Sequence, residues 1–234
     1  MLYSETIGTG PNLVMLHGWG FSSALFSRVI DKYKNQYQIT LIDLPGHGRS
    51  DNVDGGIDEW CNEIINILPE NPILLGWSLG GLIAINIASK SKISNLILVA
   101  STPNFIKSFN WEYGIDINNF KNFSESIQAD ISKGLKRFIS LQTTQKSRLR
   151  ELSNLIDEYP ASPSSLEQGL EILYSTDVSN ELKDLSIPIQ AILGKNDVLV
   201  PKKLSYWYEC QGIPVTIINT GHLPFLHSDF KLSL

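Results

Sequence analysis

The chain has 234 residues, of which 42% are hydrophobic and 18% charged, and its formal net charge at pH 7 is −5. This composition is typical of a soluble globular protein, and the net charge argues against general affinity for nucleic acid or membranes. The length suffices for one sizeable core, and an α/β domain with an insertion fits it better than two independent domains. Cys61 and Cys210 lie in no metal-ligand spacing, so we expect free thiols, a reducing compartment and no bound metal or cofactor.

The N-terminal segment has no basic region followed by an apolar run, and no apolar stretch approaches the length of a membrane span. We therefore expect a cytoplasmic protein without a secretory signal, and we expect it to be a monomer.

Short apolar runs alternate along the chain with segments of helical pattern. Runs without polar alternation are typical of parallel strands covered by helices on both faces. The predicted strands are residues 13–16, 39–42, 73–75, 96–99, 189–193 and 215–218. The predicted helices lie near residues 22–33, 57–68, 79–90 and 201–209. This alternation predicts an α/β fold with a mostly parallel, doubly wound sheet.

The alternation breaks between residues 103 and 177, where no convincing strand occurs. Aromatic residues lie there among polar segments of helical pattern: Phe105, Phe109, Trp111, Phe120, Phe123 and Phe138. We interpret residues 103–177 as a helical lid inserted into a core formed by residues 1–102 and 178–234. Because active sites of open α/β sheets lie at the carboxyl ends of the strands, such a lid would roof that edge. Its aromatic side chains would line an apolar pocket or form the core of the lid.

Ser78 lies in Gly-Trp-Ser-Leu-Gly-Gly, where a predicted strand gives way to a predicted helix. In this context the Gly-x-Ser-x-Gly pattern predicts a nucleophile elbow, a sharp turn that lifts the serine hydroxyl above the sheet edge. Glycine flanks such a turn because backbone segments approach too closely for side chains. The turn also points the Leu79 N–H at the atom that Ser78 attacks. A glycine-rich turn with an unreactive serine is the alternative.

A serine hydroxyl needs a base, usually histidine, and the base needs an orienting carboxylate. His222 directly follows the last predicted strand, whereas His227 is expected on the surface of a terminal helix. Asp197 follows the preceding strand and would otherwise be a turn residue. Both His222 and Asp197 reach the sheet edge of Ser78, in the chain order known for serine hydrolases of this architecture. The sequence therefore predicts a catalytic triad of Ser78, Asp197 and His222.

An oxyanion hole needs two N–H donors. Leu79 N–H is one candidate. Trp19 N–H is the other, because it lies in His-Gly-Trp-Gly after an early strand, where glycines let the backbone approach a substrate. We expect His17 to support this loop without reacting, and we expect the loop of residues 43–50 to be structural.

The segments HGWG, DLPGHGRS, GWSLGG, GKNDVLVP and GHLPF occur in this order and together resemble the α/β-hydrolase superfamily over nearly the whole chain. More narrowly, HGWG, GWSLGG and the lid sequences FISLQT and GLEIL resemble the BioH-type pimeloyl-acyl-carrier-protein methyl ester esterases of biotin synthesis. The resemblance implies the α/β-hydrolase fold with an inserted lid and a cofactor-free serine esterase. It also implies substrate contacts from Trp19, Ser78, Leu79, Phe138, Gln142 and His222. Only twelve residues follow His222, so the terminal helix is expected to be short.

Residues 132–150 contain six basic residues and no acidic one. Lys133 and Arg137 are four residues apart, as are Lys146 and Arg150, so each pair can share a helix face. A solvated helix face is one interpretation of such a run. The other, which the resemblance favours, is a patch that steers an acidic acyl carrier protein to the lid.

The predicted reaction is hydrolysis of the methyl ester of pimeloyl-acyl carrier protein through an acyl-enzyme. The fold does not settle the substrate. A short-chain carboxylesterase or thioesterase, or a carbon–carbon bond hydrolase or lyase, can use the same triad. A non-catalytic binding protein that retains these residues is the alternative of a different class.

Overall fold

The structure is a computed structural model that describes residues 1–143 and 145–232. Thr144 of the predicted lid and residues 233–234 of the predicted core lie outside the described residues.

Apolar runs build the centre of a single sheet. Its strands are β1 (Ser4–Ile7), β2 (Asn12–Leu16), β3 (Gln38–Ile42), β4 (Ile73–Trp77), β5 (Asn95–Val99), β6 (Ile189–Gly194) and β7 (Val215–Ile218). Their order across the sheet is β1-β3-β2-β4-β5-β6-β7, and every pairing except that of β1 with β3 is parallel. The predicted α/β fold with a mostly parallel sheet is therefore confirmed. Each predicted strand is present, with ends within two residues of those predicted.

The strand that the sequence did not reveal is β1, at the edge of the sheet. It pairs antiparallel with β3, with Ser4 opposite Ile42 and Ile7 opposite Ile39. Three of its four residues are exposed. A solvent-facing edge strand carries no continuous apolar run, so the pattern that identifies buried parallel strands does not find it.

Helices cover both faces of the sheet and fill the insertion. They are α1 (Ser27–Tyr33), α2 (Ile57–Ile65), α3 (Leu79–Lys90), α4 (Ile117–Ala129), α5 (Ile131–Gln142), α6 (Lys146–Glu158), α7 (Pro163–Ser175), α8 (Ser179–Asp184) and α9 (Leu204–Cys210). The predicted helix at 22–33 begins with a 3₁₀ turn, Ser23–Phe26, and those at 57–68 and 201–209 are shorter than predicted. Every residue of α3 up to Ile87 is buried, as expected for a helix that is apolar nearly all round.

Five helices of the described residues, α4 to α8, lie between β5 and β6, and α4 to α7 fall within residues 103–177. Asp130 ends α4 and caps α5, because its carboxylate accepts a hydrogen bond from the N–H of Lys133 (2.9 Å). The two ends of the inserted segment lie side by side. Asn104 and Asp177 form an antiparallel β-bridge, and the Val178 N–H donates to the Pro103 carbonyl (2.9 Å). Backbone contacts thus join the two ends of the insertion.

The expectation of a terminal helix after His222 is wrong for the described residues. They form only a 3₁₀ turn, Pro224–Leu226, and His227 follows this turn with its side chain 33% exposed. Phe225 and Phe230 are both buried, and the Phe230 carbonyl accepts hydrogen bonds from α1. Burial of these two rings at a spacing of five residues holds the segment in an irregular path against α1.

Two smaller expectations can be compared with the structure. Cys61 is buried, Cys210 is exposed, and both are free thiols, as predicted. Within residues 1–143 and 145–232, no helix has both the length and the apolarity that crossing a bilayer requires.

Candidate active site

Ser78 occupies the turn between β4 and α3 in a backbone conformation that residues with a side chain rarely adopt. Its φ is 54° and its ψ is −120°, and such a conformation costs on the order of 1–3 kcal/mol. Hydrogen bonds hold it there: the Ser78 N–H donates to Val99 O (3.0 Å), and the Ser101 hydroxyl donates to Ser78 O (2.7 Å). A Cβ on Gly76 would lie 2.3 Å from the carbonyl oxygen of Gly80, so the turn tolerates only glycine there.

The structure brings Ser78, His222 and Asp197 together at the carboxyl edge of the sheet. His222 Nε2 lies 2.8 Å from Ser78 Oγ, and His222 Nδ1 lies 2.7 Å from Asp197 Oδ2. Asp197 Oδ1 accepts hydrogen bonds from the N–H groups of Leu199 (2.9 Å) and Val200 (3.0 Å). A carboxylate fixed in this way accepts the Nδ1 proton, which leaves Nε2 as the acceptor for the serine hydroxyl.

The loop that carries His222 is held from two sides. The Trp77 indole N–H donates to the His222 carbonyl (2.8 Å), and the His222 N–H donates to the carbonyl of Gln142 at the end of α5 (3.2 Å). A Cβ on Gly221 would lie 2.6 Å from that Gln142 oxygen, so glycine permits the approach. The position of the histidine therefore depends on α5 as well as on the sheet.

The N–H groups of Trp19 and Leu79 have no hydrogen-bond partner among the described residues. Leu79 is the first residue of α3, where the helix leaves its N–H free. The Trp19 ring is fixed, because its indole N–H donates to the carbonyl of Leu166 in α7 (2.8 Å). Two unused donors thus lie near Ser78, one on the loop after β2 and one at the start of α3.

His17 braces the loop that carries Trp19. Its Nδ1–H donates to the Gly18 carbonyl (2.8 Å), and its Nε2 accepts from the Leu44 N–H (2.8 Å). Burial lowers the pKa of His17, which favours the neutral ring that this pattern requires. These contacts agree with the expectation that His17 supports the loop.

The neighbouring loop of residues 43–50 is fixed by its own buried charge. The Asp43 carboxylate accepts from the Ser23 N–H (2.8 Å) and from the Arg49 N–H (3.0 Å) and guanidinium (2.9 Å). Burial alone would raise the pKa of Asp43, but the hydrogen bonds from Arg49 and Ser23 outweigh it and lower the pKa to about 2. Among the described residues, none of these bonds reaches Ser78, so their role in the structure is to order the loop.

A cavity of about 300 Å³ opens above Ser78, between the sheet edge and the inserted helices. Its apolar walls are Trp19, Phe105, Ile115, Phe120, Phe123, Phe138, Leu141, Leu170, Leu173, Val198 and Leu199. The rings of Phe123 and Phe138 pack edge-on against Trp19, with centroids 5.7 and 4.9 Å away. The polar lining consists of Ser78, Asn119, Asn122 and Arg137. Such a cavity suits an acyl chain whose reacting carbonyl lies at Ser78.

Phe138 and Gln142 are placed differently with respect to this cavity. Phe138 lines it, whereas Gln142 is fully buried against the His222 loop and is not part of the lining. The Gln142 amide donates to the Phe138 carbonyl (3.3 Å), and its Oε1 has no partner among the described residues. Gln142 reaches the site through its backbone carbonyl, a contact that no sequence pattern signals.

The basic run lies on two helices. Lys133 and Arg137 are exposed on α5, and Lys146 and Arg150 are exposed on α6. Arg137 also lines the cavity. Arg137 thus brings one charge of the run to the edge of the cavity, and α6, which carries Lys146 and Arg150, packs against α5.

Comparisons with known proteins give relatives along nearly the whole chain. A model of the alpha/beta hydrolase family matches residues 13–230. The pimeloyl-[acyl-carrier protein] methyl ester esterase of Nitrosomonas europaea is 35% identical over 237 residues, which cover 96% of this chain and 94% of the relative. The protein of that name from Legionella pneumophila is 36% identical over 240 residues, covering 100% of this chain and 97% of the relative. Among solved structures, an esterase from Exiguobacterium antarcticum is similar with a TM-score of 0.88 and 26% identity, covering 96% of this chain and 90% of the esterase.

Proposed function

The chain belongs to the alpha/beta hydrolase family, among the pimeloyl-[acyl-carrier protein] methyl ester esterases, and from this premise we propose that it is a serine carboxylesterase. The substrate we propose is the methyl ester of a pimeloyl group carried on an acyl carrier protein, an intermediate of biotin synthesis. The observation that carries the proposal is the hydrogen-bonded series Ser78–His222–Asp197 at the floor of an apolar cavity.

In the proposed reaction, Ser78 Oγ attacks the ester carbonyl carbon while His222 Nε2 takes the hydroxyl proton. The carbonyl oxygen becomes an oxyanion, to which the N–H groups of Trp19 and Leu79 donate. Each such donor is worth about 3–4 kcal/mol in the transition state. The Asp197 carboxylate stabilises the imidazolium that forms.

The tetrahedral intermediate then breaks its bond to the methoxy oxygen, which receives the proton from His222 and leaves as methanol. The acyl group remains on Ser78 Oγ as an ester. His222 next takes a proton from water as the water oxygen attacks this ester, and the same proton returns to Ser78 when the carboxylic acid is released. No step in this sequence needs a metal or an oxidant.

The inserted helices supply the proposed binding surfaces. Residues 103–177 act as the lid, whose aromatic side chains close the acyl cavity. The exposed Lys133, Arg137, Lys146 and Arg150 attract the acidic carrier to the open side of this lid. In this proposal the protein works as a monomer in the cytoplasm.

The test is hydrolysis of pimeloyl-carrier methyl ester by the purified chain. The two measurements are the amount of methanol released and the mass of the carrier. We expect methanol and a carrier with an intact thioester. Ser78→Ala should lower kcat by about 10⁴- to 10⁶-fold, whereas Ser175→Ala, on the exposed end of α7, should retain wild-type rates. Loss of the whole acyl group from the carrier would instead identify a thioesterase. Absence of both turnover and fluorophosphonate labelling would favour a binding protein.

A further inference from the structure

Three polar side chains at the opening of the acyl cavity have no part in the chemistry described above. They are Asn119 and Asn122 on α4 and Arg137 on α5, and we refer to them as the mouth cluster. All three are exposed and also line the cavity, so they lie where the cavity meets solvent. Asn119 and Asn122 are three residues apart and therefore share a face of α4.

The mouth cluster is free to bind a ligand. Among the described residues, none of its three side chains has a hydrogen-bond partner or an ion pair within the protein. By contrast, Arg148 on the adjoining helix α6 is paired with Glu151 at 2.9 Å. The cluster offers amide groups, which donate and accept, and one guanidinium, which binds anions.

A carrier-bound substrate places matching groups at this position. With its ester carbonyl at Ser78, the acyl chain fills the apolar cavity and leaves through the mouth. Its far end is a thioester to a pantetheine arm, which contains two amides and ends in a phosphate. The first polar groups outside the apolar walls are therefore a thioester, then amides, then an anion.

We propose that the mouth cluster is a binding site for the phosphopantetheine arm, with Asn119 and Asn122 on its amides and Arg137 on its phosphate. The site rests on the proposed function, because it requires a carrier-linked acyl chain. It adds recognition of the arm to the attraction between the carrier protein and the basic helices, and Arg137 belongs to both surfaces. A hydrogen bond between neutral groups changes affinity by about 2- to 12-fold, and one to a charged group by more.

The test uses protein-free substrates that share one acyl chain, the methyl ester of a pimeloyl thioester. The thiol part is butanethiol, pantetheine or phosphopantetheine. We expect the double variant Asn119→Leu/Asn122→Leu to lower the ratio of kcat/KM for pantetheine over butanethiol about 10-fold. Arg137→Gln should lower the ratio for phosphopantetheine over pantetheine about 5- to 10-fold. Asn118→Leu, exposed on the same helix outside the cavity lining, should leave both ratios as in the wild type.

Unchanged ratios in the cluster variants, with the wild type active on all three thioesters, would overturn the site and leave the proposed function standing. A loss in Arg137→Gln seen instead with free monomethyl pimelate would also overturn it, because the guanidinium would then bind a carboxylate at the end of the acyl chain. No methyl ester hydrolysis by the wild type with any substrate would overturn the proposed function itself. Thermal unfolding of each variant distinguishes a local effect from loss of the fold.

Discussion

Individual buried polar residues carry much of the order around the sheet edge. Ser78 keeps an unfavourable φ because its N–H and carbonyl are both bound to the strand and loop beside it. His17 keeps a neutral ring because burial penalises its charged form and both nitrogens are used. In each case hydrogen bonds formed in the fold offset an unfavourable free energy, which is backbone strain at Ser78 and burial of a polar ring at His17. His47, whose ring lies 5.5 Å from that of His17, is fully buried as well.

His47 should make the protein sensitive to mild acid. It is fully buried, its Nδ1–H donates to the Pro45 carbonyl (2.9 Å), and burial lowers its pKa from 6.5 to about 3. Below pH 6.5 the unfolded chain takes up a proton that the folded chain does not, so the free energy of unfolding falls towards pH 3. The slope is about 1.4 kcal/mol per pH unit, or about 2–3 kcal/mol between pH 6.5 and 4.5.

His47→Asn retains a donor towards Pro45 and removes the ring that titrates. We expect its free energy of unfolding, measured by urea titration at each pH, to fall less steeply between pH 6.5 and 4.5 than that of the wild type. The difference in slope should correspond to about one proton taken up on unfolding, or about 1.4 kcal/mol per pH unit. His227→Asn, which also removes one imidazole but at a partly exposed position, is the matched control. Parallel slopes for wild type and His47→Asn would show that His47 is not the source of the acid sensitivity.

At the scale of elements, α5 connects the inserted helices to the reacting groups. Phe138 packs on Trp19, which carries one proposed oxyanion donor, and the Gln142 carbonyl accepts from the His222 N–H. One helix thus contacts both sides of the proposed catalytic centre. A small displacement of its C-terminal end should move the histidine, and geometric errors of about 1 Å can cost a factor of about 10² in rate.

Gly221→Ala tests this dependence. Its Cβ would lie 2.6 Å from the Gln142 oxygen, so α5 and the His222 loop must separate. We expect kcat for a short neutral ester to fall about 10- to 100-fold while thermal unfolding remains cooperative. Gly56→Ala is the control, since its Cβ meets only Glu59, at 3.8 Å, and its φ is −102°. Wild-type kcat in Gly221→Ala would mean that the contact does not position the base.

An element could be predicted from the sequence when its side chains are buried in a regular apolar pattern. The central strands were predictable because they are apolar on both faces, and Ser78, Asp197 and His222 were predictable because each directly follows one of them. The exposed edge strand β1 has no such pattern. The contact of Gln142 with His222 joins backbone atoms that are 80 positions apart, and Asn119 and Asn122 are ordinary polar residues of a helix. The proposed roles of these last residues follow from the packing of the inserted helices on the sheet.

At the scale of the whole molecule, charge is distributed unevenly. The chain has a net charge of −5, yet Lys133 is exposed on α5, which borders the cavity, and Lys146 and Arg150 are exposed on the adjoining helix α6. Under the proposed function, an acidic carrier would be repelled by the molecule as a whole and attracted by this basic surface. Attraction over the last 10 Å dominates at physiological salt, because screening removes the more distant repulsion. The carrier is therefore expected to arrive with its acyl chain near the cavity.

Replacing Lys133, Lys146 and Arg150 with Gln should raise KM for pimeloyl-carrier methyl ester about 10-fold or more at low salt. KM for the corresponding pantetheine thioester should change little, because that substrate has no acidic protein surface. The control variant replaces Lys92, Lys195 and Lys231 with Gln, which changes the net charge equally at exposed positions outside α5 and α6. If the surface of α5 and α6 attracts the carrier, KM of the wild type rises with salt until it approaches that of the variant at Lys133, Lys146 and Arg150. The control variant then shows the same KM as the wild type at each salt concentration. Equal KM increases in both triple variants would mean that net charge, and not the surface of α5 and α6, governs the encounter with the carrier.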